Sequence, residues 1–179
     1  MKAMKQVPLS SSTNFNAGWI YPLDHLREAR DFGAQLPIIY DFIATFIKEG
    51  GTAYDFAADA EVTIDRLEAE TIFKNYIFLA KNRGGLHTNW PILESPSLVS
   101  NILALDSETE RAAEIPYYIN VNTARQASLD KVSKTYTENG GTWPEPFTYS
   151  RYVGEYSTYL MNVMTKYDPS LNLVDKYAN

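Results

Sequence analysis

His25 and His87 are the chain's two imidazoles, and imidazole is the side chain that most readily exchanges a proton near neutral pH. Either could act as a general base with a carboxylate beside it. His25 follows Asp24 in a segment of helical character, and His87 stands in a loop between Leu86 and Thr88. No motif surrounds either, so the simpler reading of each is an exposed or hydrogen-bonded histidine. Two histidines and no cysteine leave no His-rich or thiolate metal site within one chain. Carboxylates at helical spacing are the remaining possibility. Glu61, Asp65 and Glu68 fall at i, i+4 and i+7, and Asp55 and Asp59 at i and i+4. Such oxygens could hold a hard cation. A di-iron bundle needs Glu-x-x-His pairs, however, and neither histidine stands three residues after a Glu. The cluster therefore reads as a solvated helix face. Phosphate-binding loops, the nucleophile elbow and H-E-x-x-H are all absent. Asp168-Pro169-Ser170 opens like a calcium loop, but Leu173 stands where that loop needs Gly. The expectation is no catalytic residue, no cofactor and no metal.

Aromatic residues are the richer signal, with 13 Tyr, 8 Phe and 3 Trp. Trp19, Trp90 and Trp143 all fall in expected loops beside or near prolines. Aromatics on rigid loops can stack sugars or dock partner chains, and they can equally plug the ends of a helical core. Tyr149, Tyr152, Tyr156 and Tyr159 recur along the clearest helix of the chain. A core stripe would ordinarily use Leu and Ile; a buried Tyr hydroxyl must reach water or a partner. These seven residues are the interface candidates.

The elements that must position these groups are helices. Pro22 and Gly33 bracket a helix over 23–32, and Pro37 opens another through Lys48. There Ile38, Ile39, Phe42, Ile43, Phe46 and Ile47 draw a broad apolar stripe that Gly50-Gly51 terminates. Thr52 suits the cap of a short helix to Ala60, with Glu61–Ile64 ambiguous between helix and strand. A long helix follows over 65–83, apolar nearly all round in its second half. Residues 86–94 form a loop, and Ser95-Pro96 opens a helix to Leu105. Ser107 and Glu110 form a capping box for a short helix ending before Pro116, with 117–121 extended. Thr123 and Gln126 suggest a second capping box for a helix to Glu138. Thr148 caps the helix over 149–167, and a tail helix runs over 170–177. The expected fold is mainly α: a compact multi-helix bundle of six to eight helices with Gly-Gly and Pro-rich loops and at most one short β pairing. Residues 1–21 read as an extended N-terminal arm and 22–179 as a single helical domain.

Charge narrows the function classes. The formal net charge is -6, with acid concentrated in 55–70 and 94–114 and no Lys/Arg run. Direct nucleic-acid binding through phosphates is not expected. The longest apolar run, Leu36–Ile47, contains Asp41 and is too short for a bilayer, so no membrane insertion is expected. Residues 1–16 hold no apolar signal core, which points to a cytoplasmic location, or to a virion after assembly. These readings converge on a structural or assembly subunit working through protein partners as a homo- or hetero-oligomer, such as a virion or phage-like head or tail component. The alternative is a small acidic regulatory module of immunity or anti-defence type, and behind it an enzyme using His87.

Overall fold

The computed structural model describes residues 32–83, 90–121 and 127–177. The arm expected over 1–21 lies outside them, as do Trp19, His25, His87 and all but the last residue of the helix expected over 23–32.

Pro37, whose missing N–H costs nothing in a first turn, sits at the start of α1 (Leu36–Lys48). The turn after it is made by Gly50, at φ +82°, a conformation that penalises any side chain. Where a short helix is expected over 52–60, a hairpin forms instead. Strands β1 (Thr52–Asp55) and β2 (Ala60–Thr63) pair antiparallel, with Thr52 opposite Thr63 and Asp55 opposite Ala60. The local physics favours this outcome. Thr52, Tyr54, Val62 and Thr63 are β-branched or aromatic. The Asp55 carboxylate accepts the Ala57 and Ala58 N–H groups at 2.8 and 3.2 Å, and Asp59 turns the chain at φ +50°.

Asp65 accepts the Leu67 N–H at 2.8 Å and opens α2 (Arg66–Arg83), whose inner face buries Ala69, Ile72, Phe73, Ile77 and Ala80. The loop expected over 86–94 becomes helical from Trp90, in α3 (Trp90–Leu93). Helix α4 (Ser95–Ala104) follows, with Glu94 rather than a serine at its cap. It is the axis of the molecule: α1, α2, α5 and α7 all pack on it, and Leu98, Val99 and Ile102 are almost wholly buried. Its Asn101 Nδ2 donates to the Gly33 carbonyl at 2.6 Å and the Ser97 carbonyl at 2.7 Å. That bond ties the segment leading into α1 to the central helix.

Helix α5 (Glu108–Asn120) begins as expected, with Ser107 Oγ accepting the Glu110 N–H at 3.2 Å. It does not stop at Pro116, and 117–121 is not an extended segment. The proline leaves the Ala112 carbonyl without its helical donor, but Ile115, Tyr118 and Ile119 drive one face into the core across the break. Helix α6 (Leu129–Glu138) is capped by Ser128, whose Oγ accepts the Lys131 N–H at 3.3 Å; the capping box expected at Thr123 and Gln126 lies outside the described residues. Helix α7 (Phe147–Tyr167) starts after Pro146, so Thr148 is inside it and not its cap. Asp168 then caps a single 3-10 turn (Pro169–Leu171), and α8 (Leu173–Lys176) closes the chain. The Tyr177 hydroxyl donates to the Asp130 carboxylate, fastening this tail to α6.

Two apolar clusters result. The larger surrounds α4, and the smaller gathers Ile92, Ala127, Val132, Trp143 and Val153. Among the described residues the fold is mainly α with one β pairing, as expected. The α1 stripe is the exception inside it. Only Ile47 of the six expected positions is buried; Pro37, Tyr40 and Ala44 complete the inner face, while Ile38, Ile39, Phe42, Ile43 and Phe46 are exposed.

Candidate functional site

A cleft of about 380 Å³ opens among the described residues. Its walls are α1, α4, the turn after α4 and one side of α7, and the groups able to bind or donate are Tyr40, Asp41, Lys48, Asp106, Arg111 and Tyr159. Leu105 turns extended and ends α4, which throws Asp106 out at the cleft's edge. The Asp106 backbone N–H donates to Glu70 Oε1 at 3.2 Å. Its carboxylate lies 3.0 Å from Arg66 Nη1 and 3.7 Å from Lys48 Nζ. One carboxylate thus fixes two cations from two helices.

Arg111 sits one turn into α5 because Ser107 caps that helix. Its Nη1 donates to the Leu105 and Asp106 carbonyls, the latter at 3.2 Å, and its Nε donates to the Tyr167 hydroxyl at 3.0 Å. A guanidinium has five N–H donors, and Nη2 makes no hydrogen bond among the described residues. The Tyr40 phenol is held above its ordinary pKa, first by burial and then by the Asp106 carboxylate, against an opposing pull from Arg66. At neutral pH it is a proton donor and not a base.

Helix α7 supplies the second part of the site. Its inner face buries Val153, Ser157, Leu160 and Met164. The helix therefore divides: Val153, Leu160 and Met164 point into the core, and the tyrosines lie at or near the surface. Tyr149 and Tyr159 are about half exposed. Tyr152, Glu155, Tyr156 and Tyr159 enclose a shallow depression of about 220 Å³. Tyr159 lines both this depression and the main cleft, so the two adjoin at that residue. From Tyr152 to Tyr159 the depression rises about 10 Å along the helix axis.

The other candidates divide clearly. Trp143 is a core plug: it is buried in the smaller cluster, its Nε1 donates to Glu145 Oε2 at 2.6 Å, and its ring lies 5.8 Å from that of Tyr136. Trp90 opens α3. The carboxylates of 55–65 have local tasks: Asp55 in the hairpin turn, Asp65 at the start of α2, Asp59 accepting the Tyr54 hydroxyl and Glu61 facing Thr52. Among the described residues, no three histidines or carboxylates are grouped to hold a metal ion, and no helix is long and apolar enough to cross a membrane. Sequence reasoning missed Tyr40, Lys48, Asp106 and Arg111. The Ser107 capping box signals where Arg111 falls on its helix, but nothing local brings residues 48, 66 and 106 together.

Comparison with known proteins adds an independent finding. Residues 139–179 match the family model described as "Endo-acting ulvan lyase 2nd domain". The chain is also 25% identical over 164 residues to an endo-acting ulvan lyase of Formosa agariphila, covering 87% of this chain and 20% of that protein. It thus spans about a fifth of the length of the curated relative it matches. No solved structure matches. These similarities overturn the expectation of a virion or assembly subunit, and with it the regulatory alternative: the resemblance is to part of a polysaccharide-degrading enzyme. The expectation of a chain outside enzyme chemistry is corrected on the same ground.

Proposed function

We propose that this chain is a helical domain of a polysaccharide lyase, and that it holds the polysaccharide along the tyrosines of α7 and in the cleft beside α1. One observation carries the reading. The segment that matches the lyase family model, residues 139–179, contains the helix whose Tyr152, Tyr156 and Tyr159 line a surface depression, with Tyr159 also lining the main cleft. A sugar ring presents an apolar C–H face and a polar rim. Tyrosine offers a flat apolar body with a wet hydroxyl tip and suits both. The cleft adds hydroxyl-binding groups of both signs, with Asp41 and Asp106 accepting and Lys48 and Arg111 donating.

Elimination needs a base for a carbon-bound proton and an acid for the departing sugar oxygen. The protonated Tyr40 phenol is chemically suited to the second task. The test is calorimetric titration of the chain with ulvan fragments, comparing wild type with Tyr152→Ala and Tyr159→Ala. Each substitution removes one stacking surface and is expected to weaken binding about tenfold, roughly 1.4 kcal/mol. Binding unaffected by both substitutions would overturn the reading.

A further inference from the structure

Helices α6 and α7 do not close on each other. A groove of about 240 Å³ opens between them. At about 100° per residue, Gly154, Ser157, Thr158 and Met161, which line it, centre about 180° away from Tyr152, Tyr156, Tyr159 and Val163. The groove and the main cleft therefore lie on opposite sides of α7. Two features of the groove call for a ligand. Ser157 is 6% exposed and lines the groove, and its Oγ has no hydrogen-bond partner among the described residues. A buried hydroxyl left in that state is costly. Gly154 stands in the middle of α7, where glycine is a poor helix former. Its backbone is helical, and a Cβ added there would meet the Tyr136 hydroxyl at 3.7 Å, an ordinary contact. Neither conformation nor crowding requires glycine at this position. Its missing side chain keeps the groove open.

The chemistry of the walls selects the occupant. Among the described residues no charged side chain lines the groove, so an ion of either sign finds no counter-charge there. A wholly apolar occupant would seal the Ser157 hydroxyl in without a partner. The two phenols on the walls have spent their protons: Tyr136 donates to the Ser150 carbonyl at 3.1 Å, and Tyr177 donates to the Asp130 carboxylate. Their oxygens are left as acceptors, while Ser157 can donate and accept. A sugar hydroxyl also does both, and Leu129, Val132 and Met161 offer apolar wall to the C–H face of a ring. The volume falls below the roughly 300 Å³ at which drug-sized sites begin and suits a single ring. We infer that this groove is a second carbohydrate subsite, one that takes an uncharged sugar unit. The inference rests on the polysaccharide reading above. Gly154, Ser157, Thr158, Met161 and Tyr177 all fall within the matched segment 139–179.

Hydrogen exchange of the full chain titrated with an ulvan oligosaccharide tests it. The readout is residues 129–136, which border the groove and not the main cleft. Protection there is expected in the wild type and should persist in Tyr159→Ala. Gly154→Leu fills the groove and should raise the titration midpoint at least about tenfold. Ser157→Ala removes one hydroxyl and should raise it about fivefold. Gly154→Leu should melt no lower than the wild type, because leucine is the better helix former. With no charge taking part, the midpoint should move less than about twofold between about 0.05 and 0.5 M NaCl. Protection over α1 and 105–111 without protection over 129–136 overturns the subsite and leaves the main cleft standing. No protection in any of these segments overturns both. A midpoint that ignores either substitution, or a tenfold loss in salt, overturns the subsite alone.

Discussion

Replacing Asn101 by Asp should break the joint that holds the approach to α1 on the central helix. Asn101 is fully buried, and its amide nitrogen lies 2.6 Å from the Gly33 carbonyl and 2.7 Å from that of Ser97. Both neighbours are acceptors, so only the nitrogen can face them. A carboxylate in its place turns two donated bonds into two acceptor–acceptor contacts in a dry site. Losing two buried hydrogen bonds and desolvating an unpaired charge costs about 2–5 kcal/mol, a large part of the 5–15 kcal/mol typical of a domain. Asn101→Leu should cost less, about 1–3 kcal/mol. It adds no charge, and the Ser97 carbonyl keeps its helical N–H, so only Gly33 is orphaned. Urea unfolding followed by circular dichroism at neutral pH should rank wild type above Asn101→Leu, and Asn101→Asp last. The pH dependence has a definite sign. Burial raises the new carboxyl above its unfolded pKa of about 3.9. The variant is then least handicapped below that value, where the protonated acid can donate, and loses ground as pH rises. An Asp variant within about 0.5 kcal/mol of wild type at neutral pH would refute this account of the joint.

Two further expectations follow from the same core. A Cβ added at Gly33 would lie 2.2 Å from Ser97 Oγ and 2.8 Å from the Tyr76 ring, so Gly33→Ala should destabilise by about 1–3 kcal/mol. Adding Ser97→Ala should recover part of that loss in a thermal melt, and no recovery would show the clash to be wrongly placed. The Tyr118 phenol is wholly buried and pushed well above the ordinary phenol value of 10.0, by burial first and then by Tyr177. The native state keeps this proton when the unfolded chain releases it, so stability is complete below about pH 10 and falls as pH rises beyond it. Urea midpoints between about pH 9 and 11 should fall less steeply for Tyr118→Phe, by up to about 1.4 kcal/mol per pH unit; equal slopes would contradict the burial assignment.

How far the fold was legible depended on how local each signal was. The Ser107–Glu110 pair marks the start of α5, and Gly50-Gly51 and Gly140-Gly141 mark two helix ends; in each case neighbours in sequence set the geometry. At 52–60 a possible Thr cap competed with strand-forming side chains, and the Asp55 turn decided the matter. Pro116 reads as a stop until tertiary burial of Tyr118 and Ile119 is known. The α1 stripe showed that its residues are apolar but not which neighbour would cover them, and of the six only Ile47 is buried. The α7 tyrosines were legible as surface, because hydroxyls resist burial. The cleft was not. Lys48, Arg66 and Asp106 meet only because α1, α2 and the end of α4 pack together. The lyase resemblance is carried by a pattern spread along 139–179 with no short motif to announce it.

Hydrogen exchange of the full chain with and without an ulvan oligosaccharide probes the central claim most directly. The account predicts added protection along α7 from Tyr152 to Val163, over α1, and across the turn from Leu105 to Arg111. Unchanged exchange in those three segments at saturating sugar, or protection confined to other elements, would contradict it.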